Sequence, residues 1–165
     1  MRNTTHLEDF LFVSILRTAD ALSQEAEQVI KAAGLTPAQY NVMRILRGAE
    51  PKGLACRGIG ERMISRDPDI TRLLDRMEQH HLITRERQTD DRRVILTRIT
   101  GEGLKLLKKL DRPVHELHRG QFRHMSASRL KQLAHLLGEV GRRESLLESA
   151  ESRKQIDGQG KEQKR

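Results

Sequence analysis

The apolar positions of this chain recur at helical intervals along most of its length. The segment 6–33 contains neither Gly nor Pro, and it predicts a long first helix that ends before Gly34. Its apolar residues share near-helical spacing: Leu7, Phe10, Leu11, Leu22, Val29 and Ile30. A second helix follows, with Thr36 as its candidate N-cap, Pro37 at its first position and Gly48 after its last apolar turn.

The centre of the chain continues the helical pattern. Residues 49–54 predict a loop, and CRGIGERMI (56–64) predicts a short helix that its two glycines weaken. In the next helix Asp67 is the candidate N-cap and Pro68 the first residue. One face of that helix is apolar and carries Ile70, Leu73, Leu74 and Met77. The opposite face is polar and carries Thr71, Arg72, Asp75, Arg76 and Gln79.

Alternating apolar positions then predict two short strands, over residues 83–88 and 94–99. Asp90 and Asp91 between them favour a turn, so the two strands form a hairpin. The order of elements is helix, helix, short helix, helix, hairpin, helix, helix. It predicts a mainly α fold with a small β-hairpin wing: a winged helix-turn-helix flanked by N- and C-terminal dimerisation helices.

The C-terminal third returns to helical spacing after Gly101. Pro113 is expected to kink or split this helix, because proline lacks the backbone N–H that an interior position donates. Ser126 is the candidate cap of a last helix. Residues 151–165 contain one large apolar residue, Ile156, so we expect a disordered tail there.

Four regions follow from these elements. We expect residues 6–33 to form an N-terminal dimerisation helix and residues 34–100 to form a winged helix-turn-helix domain, a candidate DNA-binding domain because helix-turn-helix units commonly bind DNA. Residues 101–150 form C-terminal dimerisation helices, and residues 151–165 form the tail. The long terminal helices have little within one chain to pack against. We therefore expect two chains to pair them in a homodimer, the commonest closed assembly.

Composition narrows the class of partner. The chain of 165 residues carries a formal net charge of +8 with 33% charged residues, which favours an anionic partner, either nucleic acid or a membrane surface. No apolar run approaches the roughly 18 residues of a membrane span. A single cysteine, Cys56, fits a reducing compartment, and no secretory signal is visible, so we expect a cytoplasmic protein.

The choice of cation in the central unit is uneven. Ten arginines and no lysine lie between Arg57 and Arg98, together with eight acids. Arginine presents a planar fork that can grip guanine edges or phosphate oxygens in pairs. Two interpretations stay open at this point. The arginines either form solvated ion pairs with neighbouring acids, including Asp67, Asp69, Asp75, Glu78 and Glu86, or they are held out toward nucleic acid.

The fourth helix favours the second interpretation. A helix that follows a short turn and shows Thr71, Arg72 and Arg76 outward fits the major groove of double-stranded DNA. Ser65 and Arg66 would lie at its N-terminal end, where phosphates meet free backbone N–H groups. Aromatic residues are only 2% of the chain, which argues against RNA or single strands, where stacking supplies much of the binding.

Acidic residues near these arginines need separate roles. Asp69 would repel a phosphate, but it could accept a hydrogen bond from a cytosine amino group. The wing tip is narrow enough to enter a minor groove, whose negative potential attracts arginine. Asp91 could clamp the guanidinium of Arg93 there, and Arg92 would be free to contact a backbone phosphate.

With these residues in view, the sequence resembles the MarR family of bacterial winged helix-turn-helix regulators. The residues that carry the resemblance are LTPAQYNVMRIL, IGERM and DITRLLDRMEQHHLITRERQTDDRRVILTRITGEGLKLL, and the match spans roughly residues 10–140. The resemblance implies an obligate homodimer that binds a palindromic operator, usually to repress, and is released by a small ligand or an oxidant.

The resemblance also implies roles for single residues. Arg93 matches the family's minor-groove arginine and Asp91 its clamp, while recognition-helix positions are matched by Ser65, Arg66, Thr71, Arg72 and Arg76. One departure is His80-His81-Leu82, where the family usually has a glycine before the apolar residue. A non-glycine residue there must adopt an unusual C-terminal conformation, or the helix must end differently.

The signal that releases DNA is less marked in the sequence. Cys56 is a candidate redox sensor, with Arg57 beside it, although a lone cysteine is more often a packing residue. His115 and His118 lie three residues apart near Glu116, but no Cys/His cluster has metal-site spacing, so we expect surface histidines, no metal and no cofactor. A small-molecule pocket has four candidate lining residues that serve equally well as core: Phe10, Phe12, Tyr40 and Met43.

Two other classes of function are weighed against DNA binding. A helical dimeric protein-interaction module without DNA binding remains an alternative, because a fold alone does not fix function. An enzyme is not expected, since the sequence contains no nucleophile–base pairing, no phosphate-cradling loop and no metal motif.

Overall fold

A computed structural model describes residues 6–65, 69–88 and 94–141. The chain divides after His118 into two compact units, which are described separately. The elements of the first unit, in chain order, are α1 (Leu7–Ala32), α2 (Pro37–Arg47), β1 (Leu54–Ala55), α3 (Cys56–Gly60), α4 (Ile70–Gln79), β2 (Ile83–Arg87), β3 (Ile95–Ile99) and most of α5 (Gly101–Gln121). The second unit contains the end of α5 and α6 (Ala127–Gly141).

The junction of α1 and α2 forms as the sequence predicts. At the end of α1, Gly34 has a φ of 78° and its N–H donates to the carbonyl of Lys31, while Leu35 N–H donates to Ile30, which is a Schellman ending. Thr36 then caps α2 reciprocally with Gln39: the Thr36 hydroxyl accepts from Gln39 N–H, and the Gln39 side chain accepts from Thr36 N–H.

The sheet is larger than the predicted hairpin. It has three antiparallel strands in the order β1-β3-β2, and Leu54 lies opposite Thr97 on the added strand. In the hairpin, Ile83 pairs with Ile99 and Arg87 pairs with Ile95. The expectation that residues 49–54 are only a loop is therefore wrong at its last residue, because a two-residue strand is too short to carry a recognisable alternation.

One apolar core joins the elements of the first unit. Side chains from α1, α2, α3, α4, the sheet and α5 contribute to it. The largest fully buried side chains among the described residues are Met43, Leu46, Ile59, Leu74, Met77, Ile83, Leu107, Val42 and the polar Thr97. The predicted apolar face of the fourth helix is thus confirmed in Leu73, Leu74 and Met77, although Ile70 is only half-buried.

Two predicted helix boundaries are wrong. The fourth helix, α4, begins at Ile70 with Asp69 as its cap, two residues later than predicted, and Asp67 and Pro68 lie outside the described residues. The short helix α3 ends at Gly60, since glycines at 58 and 60 give it little helical propensity.

Pro113 does not split the helix that contains it. Helix α5 runs from Gly101 to Gln121 with Pro113 inside. The missing proline N–H leaves the carbonyl of Lys109 without its helical donor, but Lys109 is exposed and water can reach it. Burial of Leu107, Leu110 and Val114 on the other face favours continuity of the helix.

The second unit is a helical segment of its own. Ser126 caps α6 as predicted, since its hydroxyl accepts a hydrogen bond of 3.4 Å from Arg129 N–H. Several apolar residues of α6 are substantially exposed: Leu136, Leu137 and Val140. The predicted tail, residues 151–165, lies outside the described residues.

The N-terminal part of α1 exposes apolar side chains on every side. The run FLFVSIL (10–16) covers nearly two turns, and each of its apolar residues except Val13 and Ile15 is at least 48% exposed. A helix that is apolar all round is normally buried. Within the described ranges, none of the helices combines the length and apolar character that crossing a membrane requires.

Candidate nucleic-acid interface

Helix α4 presents a continuous polar face to solvent. Thr71, Arg72, Arg76 and Gln79 are exposed, whereas the opposite face is buried against the core. The period of 3.6 residues separates these two sets of side chains around the helix axis. The predicted outward face is therefore present, except that Asp75 is half-buried rather than fully exposed.

Asp69 and Arg72 form a closed pair at the start of α4. The Asp69 carboxylate accepts a hydrogen bond of 3.3 Å from the backbone N–H of Arg72, and its other oxygen lies 3.1 Å from Arg72 Nε. Asp69 is thus a helix cap that also holds an exposed guanidinium. In the free protein both Asp69 carboxylate oxygens therefore contact Arg72, whereas the sequence suggested that this carboxylate accepts a hydrogen bond from a cytosine.

A three-residue ion cluster connects α4 with strand β2. Arg85 Nη2 lies 2.6 Å from Asp75 Oδ1 and 2.6 Å from Glu78 Oε2, and Arg85 Nε donates to the same Glu78 oxygen over 2.8 Å. The hydrogen bonding that Arg85 donates to the Glu78 carboxylate is the largest cause that raises the pKa of Arg85 above its ordinary value. The guanidinium therefore stays charged and joins the root of the wing to the helix.

Arg76 differs from Arg72 and Arg85, each of which pairs with an acid of α4 or its cap. Among the residues that the structure describes, it takes part in no ion pair, and its side chain is exposed on the same face as Thr71 and Gln79. A guanidinium without an internal partner keeps its donors available for an external acceptor. Arg76 is accordingly the best placed cation on α4 for contact with an anion.

The turn before α4 is held by α2. Asn41 Oδ1 accepts a hydrogen bond of 2.9 Å from the backbone N–H of Ile64, which fixes the chain just ahead of the exposed Ser65. The Ile64 side chain is 89% exposed. Sequence reasoning missed Asn41, because nothing in the spacing of residues 41 and 64 links them before the fold is known.

The predicted ion-pair interpretation holds for several of the central arginines. Besides Arg72 and Arg85, Arg98 donates to Glu86 over 2.8 Å and to the carbonyl of Pro51 over 3.1 Å, and Arg57 pairs with Glu61 over 2.8 Å. Arg66, Asp91, Arg92 and Arg93 lie outside the described residues. The predicted roles of the wing tip and of Arg66 therefore stay predictions.

The candidate effector residues occupy different environments. Phe10 and Phe12 are exposed on α1, whereas Tyr40 and Met43 are buried in the core. Ile30 shares the buried core with Tyr40 and Met43, and Phe10 precedes Ile30 by twenty positions, which is about 30 Å along a helix. One chain therefore does not bring these four residues together, and a pocket that contains them all remains a prediction.

The remaining candidates are single side chains. Cys56 is half-buried at the first position of α3, and His115 and His118 are exposed on α5. Across residues 6–65, 69–88 and 94–141, no group of three or more His, Cys, Asp or Glu residues is placed to hold a metal ion. The redox role of Cys56 stays a prediction.

Comparison with known proteins decides the family. The MarR family model matches residues 35–95, which run from the start of α2 to the wing. A solved MarR transcription factor from Planctomyces limnophilus is 36% identical, covers 82% of this chain and 98% of its own, and superposes with a TM-score of 0.62. The chain belongs to the MarR family.

Other MarR relatives agree with this assignment. The homoprotocatechuate degradative operon repressor of Escherichia coli is 28% identical over 133 residues, which are 81% of this chain and 88% of the relative. A MepR mutant of S. aureus, solved bound to an oligodeoxyribonucleotide, has a TM-score of 0.54 at 22% identity, covers 82% of this chain and 96% of its own, and shares the fold. This chain is thus a transcription regulator of a DNA-binding, non-enzymatic family with a winged-helix fold.

Proposed function

We propose that this chain is a cytoplasmic, homodimeric transcription repressor that binds palindromic double-stranded DNA and is released by a small ligand or an oxidant. The observation that carries the proposal is the exposed polar face of α4 with Arg76 unpaired among the described residues. A helix of this kind, whose apolar face is buried in the core and whose polar face is exposed, fits the major groove.

The proposed contacts divide into three groups. Thr71, Arg72 and Arg76 read base edges, with Asp69 releasing Arg72 from their mutual ion pair when DNA approaches. Phosphates at the start of α4 are bound by Ser65 and Arg66. In the wing, Arg93 enters the minor groove with Asp91 as its clamp, and Arg92 contacts the backbone.

The proposed dimer rests on the terminal regions. Residues 6–33 and 101–150 would form the dimerisation helices, and residues 34–100 the DNA-binding domain. The apolar run FLFVSIL on α1 is left uncovered by its own chain among the described residues, and a second copy would bury it. The proposed effector pocket, with Phe10 and Phe12 near Tyr40 and Met43, would then require both chains.

Selection of bound duplexes from a random pool tests the proposal directly. A two-fold dimer is expected to select two inverted half-sites about 10 base pairs apart, one helical turn. Affinity for the selected duplex should fall steeply with salt, because bound arginines displace condensed counterions. Selection of a single unrepeated site, or of none, would contradict the proposal and favour a protein-interaction module.

Substitution of Arg76 locates the contact on α4. Arg76→Ala is expected to weaken binding of the selected duplex by about 1–3 kcal/mol and to relax selectivity at one position of each half-site. Lys108→Ala removes an exposed cation of α5 and serves as the matched control, with a smaller effect. Equal losses in both variants would point to general electrostatics rather than to a base contact.

A further inference from the structure

The arginine at the root of the wing lies between two acids of α4. Arg85 reaches Asp75 with one nitrogen and Glu78 with two, and all three contacts are 2.8 Å or shorter. The Arg85 side chain is only 25% exposed, whereas Asp75 and Glu78 remain 45% and 38% exposed. The cation is therefore the enclosed member of the cluster, and the two carboxylates border the surface.

The position of Arg85 matters because α4 and its cap contain more acidic than basic residues. The helix and its cap contain three acids and two arginines, so their formal net charge is −1: the acids are Asp69, Asp75 and Glu78, and the arginines are Arg72 and Arg76. Asp69 and Arg72 compensate each other. In the charge count of the helix this leaves one arginine, Arg76, and two carboxylates, so without a further cation the helix would carry net negative charge toward any polyanion.

We propose that Arg85 acts as a positioning residue that screens the two α4 carboxylates, so that the helix can approach DNA phosphates without net negative charge. This inference rests on the proposed function, because it assigns Arg85 a part in DNA binding by α4. Arg85 itself need not contact DNA. It brings the formal sum of the helix and its partner to zero and leaves Arg76 available.

The geometry favours an arginine in this role. A guanidinium donates from several nitrogens in a fixed plane, so a single side chain can serve two carboxylates three residues apart on a helix. A lysine would offer one compact charge without that fork. The same contacts hold strand β2 against α4, so the direction of the wing and the charge of the helix depend on one residue.

Neutralising the charges of the cluster one side at a time distinguishes screening of the α4 carboxylates from a role of Arg85 that only holds β2 against α4. Arg85→Gln is expected to weaken binding of the selected duplex about tenfold at low salt, and the loss should shrink at high salt as repulsion is screened. Adding Asp75→Asn and Glu78→Gln to Arg85→Gln removes the repelling charges. That triple variant should recover duplex affinity to within about threefold of wild type, although Arg85 no longer joins β2 to α4 in it.

A second pair of variants keeps the test decisive if Arg85→Gln folds poorly. Asp75→Asn with Glu78→Gln in the wild-type background is expected to raise affinity about threefold or more, because it leaves Arg85 uncompensated beside the helix. Arg98→Gln is the matched control: it removes a sheet arginine with a 2.8 Å ion pair to Glu86, and it does not change the charge of α4. Its duplex affinity should stay within about twofold of wild type.

The outcomes distinguish the two levels of the proposal. A wild-type protein that binds no duplex would overturn the proposed function, and this inference with it. A wild-type protein that binds, together with an Arg85→Gln variant of equal affinity, would overturn the inference alone. A loss of duplex affinity in Arg85→Gln that does not depend on salt, and that the two amide substitutions do not recover, would show that Arg85 only holds β2 against α4. That result would also overturn the proposed screening role.

Discussion

The hydroxyl group of Thr100 donates a hydrogen bond of 2.6 Å to the backbone carbonyl of His81. The same Thr100 oxygen accepts from Gly103 N–H over 3.0 Å, and Thr100 N–H donates to the carbonyl of Leu82 over 3.1 Å. The end of α4 and the start of α5 are thus joined by one threonine. Since β2 and β3 run between these two points, the junction fixes the base of the wing relative to the proposed recognition helix.

Replacing His81 with glycine is expected to stabilise the protein. His81 has a φ of 55°, and its N–H donates to Glu78 while Leu82 N–H donates to Met77, so it occupies the position that Gly34 occupies at the end of α1. Relief of the left-handed strain, less the added entropy of the unfolded chain, should raise the free energy of unfolding by roughly 0.5–1 kcal/mol in urea denaturation.

The neighbouring histidine provides the control. His80 has a φ of −87°, which side chains adopt readily, so His80→Gly gains nothing and loses about 0.5–1 kcal/mol. Stabilisation by both substitutions, or by neither, would show that the strain at His81 does not limit stability.

Replacing Gly103 with alanine is expected to destabilise the junction. A Cβ atom there would lie 2.5 Å from the carbonyl oxygen of Leu82 and 2.7 Å from Ile99 Cγ1, so backbone or buried side chain must shift. We expect a loss of about 1–3 kcal/mol in thermal or urea unfolding. Gly101→Ala, whose Cβ meets nothing within 4 Å, should be neutral or stabilising; a comparable loss there would contradict this reading.

Removal of the α2 cap should cost measurable stability. Thr36→Ala deletes the hydroxyl that accepts from Gln39 N–H, and α2 carries the buried Val42, Met43 and Leu46. We expect a loss of about 0.5–2 kcal/mol, measured by chemical denaturation. Thr36→Ser retains the hydroxyl and is expected to lose less than half as much, which a purely steric role for Thr36 would not allow.

Charges introduced into the apolar run of α1 should separate the proposed dimer. Phe10→Glu combined with Leu11→Glu places two carboxylates where 61% and 48% of the side chains are exposed in one chain. In sedimentation analysis at micromolar concentration, wild type is expected as a dimer and this variant as a monomer or an unfolded chain. Ile95→Glu charges an exposed residue of β3 instead and should remain dimeric. A monomeric wild type would contradict the proposed assembly.

Local chemistry explains which elements the sequence could predict. Thr36 with Pro37 marked the start of α2, Ser126 marked that of α6, and period-2 alternation placed the hairpin within a residue of β2 and β3. Each signal acts within about four residues. The predicted start of α4 was two residues too early because the sequence offers two candidate caps. One is Asp67, which is followed by Pro68, and the other is Asp69, which caps the helix in the structure.

Long-range relationships account for what could not be predicted. The pairing of Leu54 with Thr97, the bond from Ile64 N–H to Asn41 and the bridge from Arg47 to Asp111 join residues more than twenty positions apart. No periodicity encodes such contacts. The polar face of α4 was visible in the sequence, but the partners of its charges were not.

The sequence by itself determined the order of the helices and of the two hairpin strands, the caps at Thr36 and Ser126 and the apolar face of α4, because these depend on neighbours along the chain. Only the tertiary structure decided that Arg85 holds Asp75 and Glu78, that β1 adds a third strand and that α5 continues through Pro113. Those outcomes depend on burial and on atoms brought together from distant positions, where ion pairing and packing outweigh local preference.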